Sequence, residues 1–301
     1  MLKKLLKRSY ILIGFLIFFW VVKDIDFSYF KGQISNLNLV YLPFASLLYI
    51  PILLLNSYRF KKMVSFQNIK YSLKEAFYIV GISTMLAIAT PGRIGDFSKI
   101  IYLKKDGHSL GKSILSNVLE KIFDLLFVLI FCAILFIFLP SVPRIEINGG
   151  MIIRWIVPIA IFAGFLTLYL YKTNDKAKEI IKDIFLGLKQ YNFKRSLFIF
   201  FLTAIAWISY FFIINLLAAS VGISEHLSFF FVSFLGAFSV LAALLPISVM
   251  GIGAREAVFI FLLSPFGIAK ETIVLFSLLI MANYLTLVLV GLVCWYKKFL
   301  A

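Results

Sequence analysis

The chain has 301 residues, of which 62% are hydrophobic and 15% are charged, and its formal net charge is +16. Its mean hydropathy is +1.01. A soluble domain of this length needs far more polar surface, so the composition predicts an integral membrane protein. The positive charge does not indicate nucleic-acid binding, because the Lys and Arg residues stand in short runs between apolar stretches.

Six apolar stretches come close to the length of a membrane-spanning helix. A bilayer core of about 30 Å needs about 20 apolar residues in helical conformation. The first stretch follows a basic N-terminus and has no small-residue cleavage site after it, so we interpret it as a retained signal anchor. The six predicted full spans cover residues 8–23, 39–58, 114–139, 151–171, 196–219 and 271–296.

Two further apolar stretches, 76–98 and 229–264, contain motifs that break a helix. The first holds TPGRIGDFSK (90–99) and the second holds LPISVMGIGARE (245–256). Non-helical backbone at membrane depth is tolerated only where it is buried in protein or lines a cavity, so the breaks predict a polar cavity near the midplane. The residues predicted to break the helices are Pro91, Gly92, Gly95, Pro246, Gly251 and Gly253.

The basic loops predict the orientation of the chain. Residues 59–75 and 99–112 are rich in Lys and Arg, so by the positive-inside rule both face the cytoplasm, as do the N- and C-termini. The stretch 76–98 then has to return to the side it came from, and 229–264 has to return to the opposite side. We predict two opposed re-entrant hairpins, with kinked spanning helices as the alternative.

This arrangement predicts an all-α, polytopic helical bundle in a bacterial-type inner (plasma) membrane. The chain forms a single transmembrane domain, 1–301, whose halves 1–140 and 141–301 each contain one hairpin. Two interrupted segments in opposite orientations indicate an inverted repeat, as in many transporters. The Lys-rich stretch 173–195 has apolar residues at helical spacing, which predicts an amphipathic helix on the inner surface.

Seven ionisable residues lie within or beside the apolar stretches. Insertion scales put Arg, Lys or Asp at a helix centre at about +2.5 to +3.5 kcal/mol each, so we expect these residues to pair or to face water. Arg93, Asp96 and Lys99 follow one another at intervals of three, which allows them to be neighbours on a helix. The seven are Arg93, Asp96, Glu120, Lys121, Asp124, Arg255 and Glu256.

The chemistry of these residues favours a site for an anionic headgroup. Arg93 and Arg255 are the best phosphate ligands, because a guanidinium matches phosphate bidentately. Glu120 and Asp124 share a helix face, and Lys121 can neutralise Asp124. The acidic residues either orient the arginines or take a cationic group of the substrate; alternatively, the pairs are structural clamps. The predicted substrate-binding residues are Arg93, Asp96, Lys99, Glu120, Asp124, Arg255 and Glu256.

No catalytic, metal or cofactor site is predicted, so we do not expect an enzyme. The two cysteines and two histidines are isolated in sequence, whereas zinc needs three or four convergent ligands. The GIGARE motif lacks the strand and βαβ unit of a dinucleotide fingerprint and the Lys-Ser/Thr of a P-loop.

Three motifs carry a resemblance to a known family: PGRIGDFSKIIYLKKDGHS (91–109), VLEKIFDLL (118–126) and LPISVMGIGAREAVF (245–259). In this order they resemble the lysylphosphatidylglycerol synthase transmembrane-region family, the flippase-like membrane half of bacterial multiple-peptide-resistance factors. The family usually has Glu at the position of Asp96 and commonly Arg at the position of Lys121. In this chain the acidic side chain is therefore shorter, and residue 121 lacks the guanidinium that could bind an anion bidentately. The resemblance marks Pro91, Gly92, Gly95, Asp96, Glu120, Asp124, Pro246, Gly251, Gly253, Arg255 and Glu256.

The resemblance implies translocation of an anionic or phosphate-bearing polar lipid between leaflets. We expect a standalone member of the family without the lipid-aminoacylating domain. The resemblance therefore does not identify which lipid is translocated. The expected partners are membrane lipids, either an anionic phospholipid or a polyprenyl phosphate, together with a lipid-modifying or glycan-assembly enzyme. Two alternatives stay open: an accessory protein or polyprenyl-phosphate-dependent transferase of cell-envelope glycan assembly, and a scaffold without transport.

Overall fold

The computed structural model describes residues 14–138, 175–244 and 248–299. Within these ranges the regular secondary structure consists of α-helices and 3-10 turns, and no β-strand occurs. This confirms the predicted all-helical class. The predicted span 151–171 lies outside the described residues. The helices are α1 (14–22), α2 (Phe27–Ser35), α3 (Tyr41–Phe66), α4 (Leu73–Ala89), α5 (Ser98–Lys105), α6 (Leu110–Phe138), α7 (Asp175–Leu188), α8 (Phe193–Ser220), α9 (Phe229–Ala243), α10 (Ala254–Leu263) and α11 (Lys270–Phe299).

Three of the described helices, α3, α8 and α11, are long and apolar enough to cross a membrane. Their 26, 28 and 30 residues correspond to about 39 to 45 Å at 1.5 Å per residue. The predicted spans 39–58, 196–219 and 271–296 fall on them. The predicted span 114–139 falls on α6, whose 29 residues include the charges of the second motif.

The first broken stretch is a hairpin whose first arm begins, and whose second arm ends, at the same end of the bundle. Ser72 begins α4 with a capping box to Glu75. At the open end, the Tyr71 hydroxyl donates to Asp106, and burial together with this hydrogen bond raises the pKa of Tyr71. Between the arms, the hydroxyls of Ser83 and Ser98 are 2.8 Å apart. The hairpin therefore covers residues 73–105, longer at both ends than the predicted 76–98.

The tip of this hairpin is a 3-10 segment, Pro91–Phe97, in which two residues leave the helical region. Gly92 and Arg93 have φ values of 59° and 55°, in the left-handed region that disfavours a side chain such as that of Arg93. The Thr90 hydroxyl closes the tip, because it donates to the Leu86 carbonyl at 2.7 Å and accepts from the Gly95 amide at 2.8 Å.

The second broken stretch, α9 with α10, is also a hairpin. Ser228 caps the start of α9, and the ring of Phe231 lies 4.9 Å from that of Phe266, just after the end of α10. The turn between the helices contains Met250, Gly251 and Gly253, with φ values of 56°, 82° and 82°. Pro246, the predicted proline of this break, lies outside the described residues.

The two hairpins open at opposite ends of the antiparallel pair α3 and α8. At one end, the Asn38 amide before α3 donates to the Ser220 carbonyl at the end of α8. At the other end, the Phe66 ring at the end of α3 lies 5.7 Å from the Tyr191 ring before α8. The first hairpin follows α3 and the second follows α8, so they enter the bundle from opposed sides.

The amphipathic helix α7 packs on the start of α6. Gly111 of α6 faces the Ile180 carbonyl and the Asp183 side chain so closely that a Cβ there would collide with them. Phe185 is exposed on the outer face of α7. The helix is shorter than the predicted 173–195, since Asn192 caps the following helix with its side chain.

Candidate functional site

A cavity of about 360 Å³ lies where the tip of the first hairpin meets α3, α6 and α8. One part of its wall is apolar or aromatic, with Leu125, Leu241, Leu244 and Trp207 among the lining residues. The other part is charged, and it brings together five of the seven predicted site residues with two further cations. These charged residues are Arg59, Arg93, Asp96, Lys99, Glu120, Lys121 and Asp124.

Arg59 is the centre of the ion-pair network, although the basic run around it was predicted to be a cytoplasmic loop. The loop assignment is wrong for residues 59–66, because α3 continues to Phe66 and buries the Arg59 side chain to 4% exposure. Its Nη1 donates to Asp124 at 2.7 Å and to the Thr203 hydroxyl at 2.9 Å, and its Nη2 donates to Glu120 at 3.1 Å. Arg59 thus joins α3, α6 and α8.

Glu120 also binds a cation from the first hairpin. The Lys99 ammonium lies 2.9 Å from one carboxylate oxygen of Glu120 and 2.7 Å from the other. The sequence prediction placed Lys99 beside Asp96; the structure directs it to Glu120, because α5 begins at Ser98 and packs against α6. Glu120 is therefore held between Lys99 and Arg59.

Asp96 at the hairpin tip is held by Lys121 at 2.6 Å and by Arg93 Nε at 3.5 Å. The Asn117 side chain donates to the Asp96 carbonyl at 2.9 Å and fixes the tip to α6. The predicted pairing of Lys121 with Asp124 is replaced by this contact. Lys121 is one residue beyond Glu120, about 100° around the helix, so it faces the tip while Asp124 faces α3.

Arg93 is the lining residue with the most unused hydrogen-bonding capacity. Its left-handed backbone projects the side chain from the tip, and 23% of the side chain is exposed. Only Nε contacts Asp96; among the described residues the two terminal nitrogens have no hydrogen-bond partner. A strained backbone conformation at such a position is a recognised feature of ligand sites.

Aromatic side chains from α3, α8 and α11 complete the wall. The Trp207 indole donates to Asp124 at 3.3 Å, which adds a second partner for that carboxylate. The hydroxyls of Tyr210 and Tyr284 are 3.2 Å apart, and the Tyr49 ring lies 6.2 Å from the Tyr284 ring. These contacts fix the aromatic groups beside the charged part of the cavity.

Arg255 and Glu256 of the third motif lie outside this cavity, although they were predicted to line it. Both are fully buried, with 3.8 Å between Arg255 Nη2 and the Glu256 carboxylate. Ser277 of α11 bridges them, accepting from Arg255 Nε at 2.7 Å and donating to Glu256. Glu256 also accepts from the Gly253 amide at 2.6 Å, which caps α10. The geometry of this pair is that of a clamp between the second hairpin and α11.

Replacing Ser277 with Ala should destabilise the protein by about 1.5–3 kcal/mol, the typical contribution of hydrogen bonds to charged groups. The change leaves Arg255 and Glu256 buried without their shared hydroxyl. Thermal unfolding in detergent measures the effect, with Ser209→Ala as the control, because that hydroxyl bonds only a carbonyl of its own helix. Equal unfolding temperatures for the two variants would contradict the clamp.

The described residues contain no group of three or more His, Cys, Asp and Glu side chains arranged to hold a metal ion.

The comparisons with known proteins agree with the motifs. A family model described as the lysylphosphatidylglycerol synthase TM region matches residues 10–291. No curated protein and no solved structure gives a significant match to the chain. Because the matched region covers nearly the whole sequence, the chain is a membrane-embedded protein that belongs to the lysylphosphatidylglycerol synthase transmembrane-region family.

Proposed function

We propose that this protein translocates a phosphate-bearing polar lipid between the leaflets of the membrane, with the headgroup in the cavity and the acyl chains in the bilayer. The observation that carries the proposal is the Arg93 guanidinium, whose terminal nitrogens have no partner among the described residues while its Nε is oriented by Asp96. A planar guanidinium fork matches two phosphate oxygens and stays charged in a low dielectric.

The division of the cavity wall into charged and apolar parts suits an amphipathic substrate. Leu125 and Leu244 line the cavity and are 49% and 44% exposed, so the apolar part of the wall is open to contact with acyl chains. A headgroup could therefore enter the charged part while its acyl chains remain outside. The volume of about 360 Å³ falls within the usual range of small-molecule sites.

Preformed ion pairs lower the energetic barrier for such a substrate. Bringing a phosphate into an apolar interior without partners is very costly, because the charge loses its hydration. Here Arg59, Lys99 and Lys121 are already paired with carboxylates inside the protein, so the cavity offers oriented charges in place of water. The proposed step breaks no covalent bond, needs no cofactor, and runs down the gradient of the lipid.

We place the protein in a bacterial-type plasma membrane with the open end of the first hairpin on the cytoplasmic side. The basic residues Lys104 and Lys105 end α5 at that side. The N- and C-termini are proposed to share it. An enzyme that modifies lipids or assembles envelope glycans on a polyprenyl phosphate would supply the substrate.

Transport in liposomes tests the proposal. The purified protein is reconstituted with trace lipids labelled on a hydrocarbon chain, and loss of fluorescence to a membrane-impermeant reductant reports transfer to the outer leaflet. The lipids are phosphatidylglycerol, a labelled polyprenyl phosphate, and a glucosyl diacylglycerol that has a polar headgroup without phosphate.

The proposal predicts that at least one phosphate lipid crosses about tenfold faster than the glucosyl lipid. Transfer of the polyprenyl phosphate without phosphatidylglycerol would assign the protein to glycan assembly as a carrier. Rates equal to those of protein-free liposomes for every lipid would contradict translocation and favour the scaffold role.

A further inference from the structure

We infer that the cavity accepts headgroups whose only charge is the phosphate and discriminates against headgroups that also carry an ammonium group. The inference rests on the proposed function and names its substrate class. It decides between the two roles that the acidic residues could have, orientation of the cations or binding of a cationic part of the substrate.

The charges that line the cavity do not balance. Four cations and three carboxylates face the space, which leaves one net positive charge. At the short distances within a low-dielectric site, one unbalanced charge has a large effect on which ligand charge is accepted. The excess favours one added negative charge, as a phosphodiester supplies.

Every carboxylate of the cavity already has a close cation from the protein itself. Asp96 is 2.6 Å from Lys121, Glu120 is 2.7 Å from Lys99, and Asp124 is 2.7 Å from Arg59. Each carboxylate is already neutralised by the protein before a substrate binds. The carboxylates therefore orient the cations, and none is left over as a counterion for an amine.

The charged part of the cavity wall contains donors with unused hydrogen-bonding capacity. Arg93 has two terminal nitrogens without a partner among the described residues, on a side chain that is 23% exposed. Lys121 is the most exposed of the paired cations, at 35%. Donors of this kind can satisfy phosphate oxygens, whereas an ammonium group needs acceptors.

Aromatic rings offer a second way to bind an ammonium, through their faces. Trp207, the tryptophan that lines the cavity, is flanked by other aromatic rings. Phe127 stacks against it with 6.2 Å between centroids, and Tyr210 meets it edge to face at 5.8 Å. Its N–H donates to Asp124. The rings around Trp207 therefore do not form an open cage for a cation.

The test compares lipids that differ in the headgroup charge. Liposomes containing the reconstituted protein receive phosphatidylglycerol, phosphatidylethanolamine or the lysyl ester of phosphatidylglycerol, each with the same labelled acyl chain. We expect phosphatidylglycerol to cross at least about tenfold faster than phosphatidylethanolamine, with the lysyl ester no faster than phosphatidylethanolamine.

Lys121→Gln tests whether the charge balance causes the selectivity. The variant removes the excess charge and leaves Asp96 with only the 3.5 Å contact to Arg93. The rate ratio of phosphatidylglycerol to phosphatidylethanolamine should fall at least about threefold. Lys105→Gln, at the exposed end of α5, removes one positive charge outside the cavity and should leave the ratio unchanged.

The outcomes separate this inference from the proposed function. Equal rates for the three lipids, or faster transfer of the lysyl ester, would overturn the inference while translocation stands. An unchanged ratio in Lys121→Gln would overturn the assignment of selectivity to these charges. No transfer of any lipid, in this panel or in the earlier one, would count against translocation itself. The wild-type ratio decides the main point even if Lys121→Gln does not fold.

Discussion

Replacing Arg59 with Met should lower the free energy of unfolding by about 3–5 kcal/mol, the usual effect of removing one partner of a buried ion pair. The guanidinium holds Glu120 and Asp124 of α6 and Thr203 of α8 through the contacts described above. Without it, Asp124 keeps only the Trp207 indole, at 3.3 Å. A carboxylate with one neutral donor in an apolar environment is a costly defect.

Thermal unfolding of the purified protein in detergent measures this effect. The control is Lys61→Met, two residues along the same helix, where no ion pair forms among the described residues; we expect a change within about 0.5 kcal/mol. Adding Asp124→Asn to Arg59→Met should recover part of the loss, because it removes the uncompensated charge. A stability of Arg59→Met within about 1 kcal/mol of wild type would show that Arg59 does not hold the bundle together.

Replacing Gly95 with Ala should disrupt the first hairpin. A Cβ at this position would overlap the Leu86 carbonyl group and approach the Ala87 amide nitrogen to 2.5 Å. These are backbone atoms of α4, so no side chain can move aside, and the tip has to separate from the helix. We expect a loss at or above the upper end of the 1–3 kcal/mol that overpacking usually costs.

Gly32→Ala is the matched control for Gly95→Ala. Gly32 lies inside α2 and a Cβ there has open space, so the change should be neutral or should stabilise by up to about 1 kcal/mol. The unfolding temperature and the fraction of monodisperse protein in detergent measure both variants. A Gly95→Ala protein that unfolds at the wild-type temperature would mean that the tip does not pack on α4 as described.

The hairpins could be predicted because their signals are local. Pro91 and Gly92 stand inside an apolar stretch between two basic segments, so chain length and loop charge together require a return to the same side. The structure adds the interactions that close the tip, such as the Thr90 hydroxyl. Nothing in the sequence indicates that a threonine before a proline closes the hairpin tip with its hydroxyl.

Arg59 was missed because a run of basic residues normally indicates a loop at the membrane surface. The run contained a contrary signal: Phe60, Met63 and Val64 continue the apolar spacing of α3, and all three are buried. Helical periodicity identifies the helix here better than the local charge does.

The partners of the charges could not be predicted from spacing. Intervals of three and four residues describe neighbours on one helix, but Lys121 and Lys99 form their ion pairs between α6 and the first hairpin. For the same reason the sequence could not separate Arg93, which lines the cavity, from Arg255, which is buried outside it. Both arginines follow Pro/Gly breaks, and only the packing of the two hairpins distinguishes them.

The most direct test of phosphate binding by Arg93 is transport of phosphatidylglycerol by Arg93→Asn, measured beside its unfolding temperature. Asn tolerates the left-handed backbone at this position and removes the guanidinium, so the variant should fold with a stability within about 1 kcal/mol of wild type. Without the guanidinium, we expect transfer to fall to the rate of protein-free liposomes. A folded Arg93→Asn protein that moves phosphatidylglycerol at the wild-type rate would contradict it.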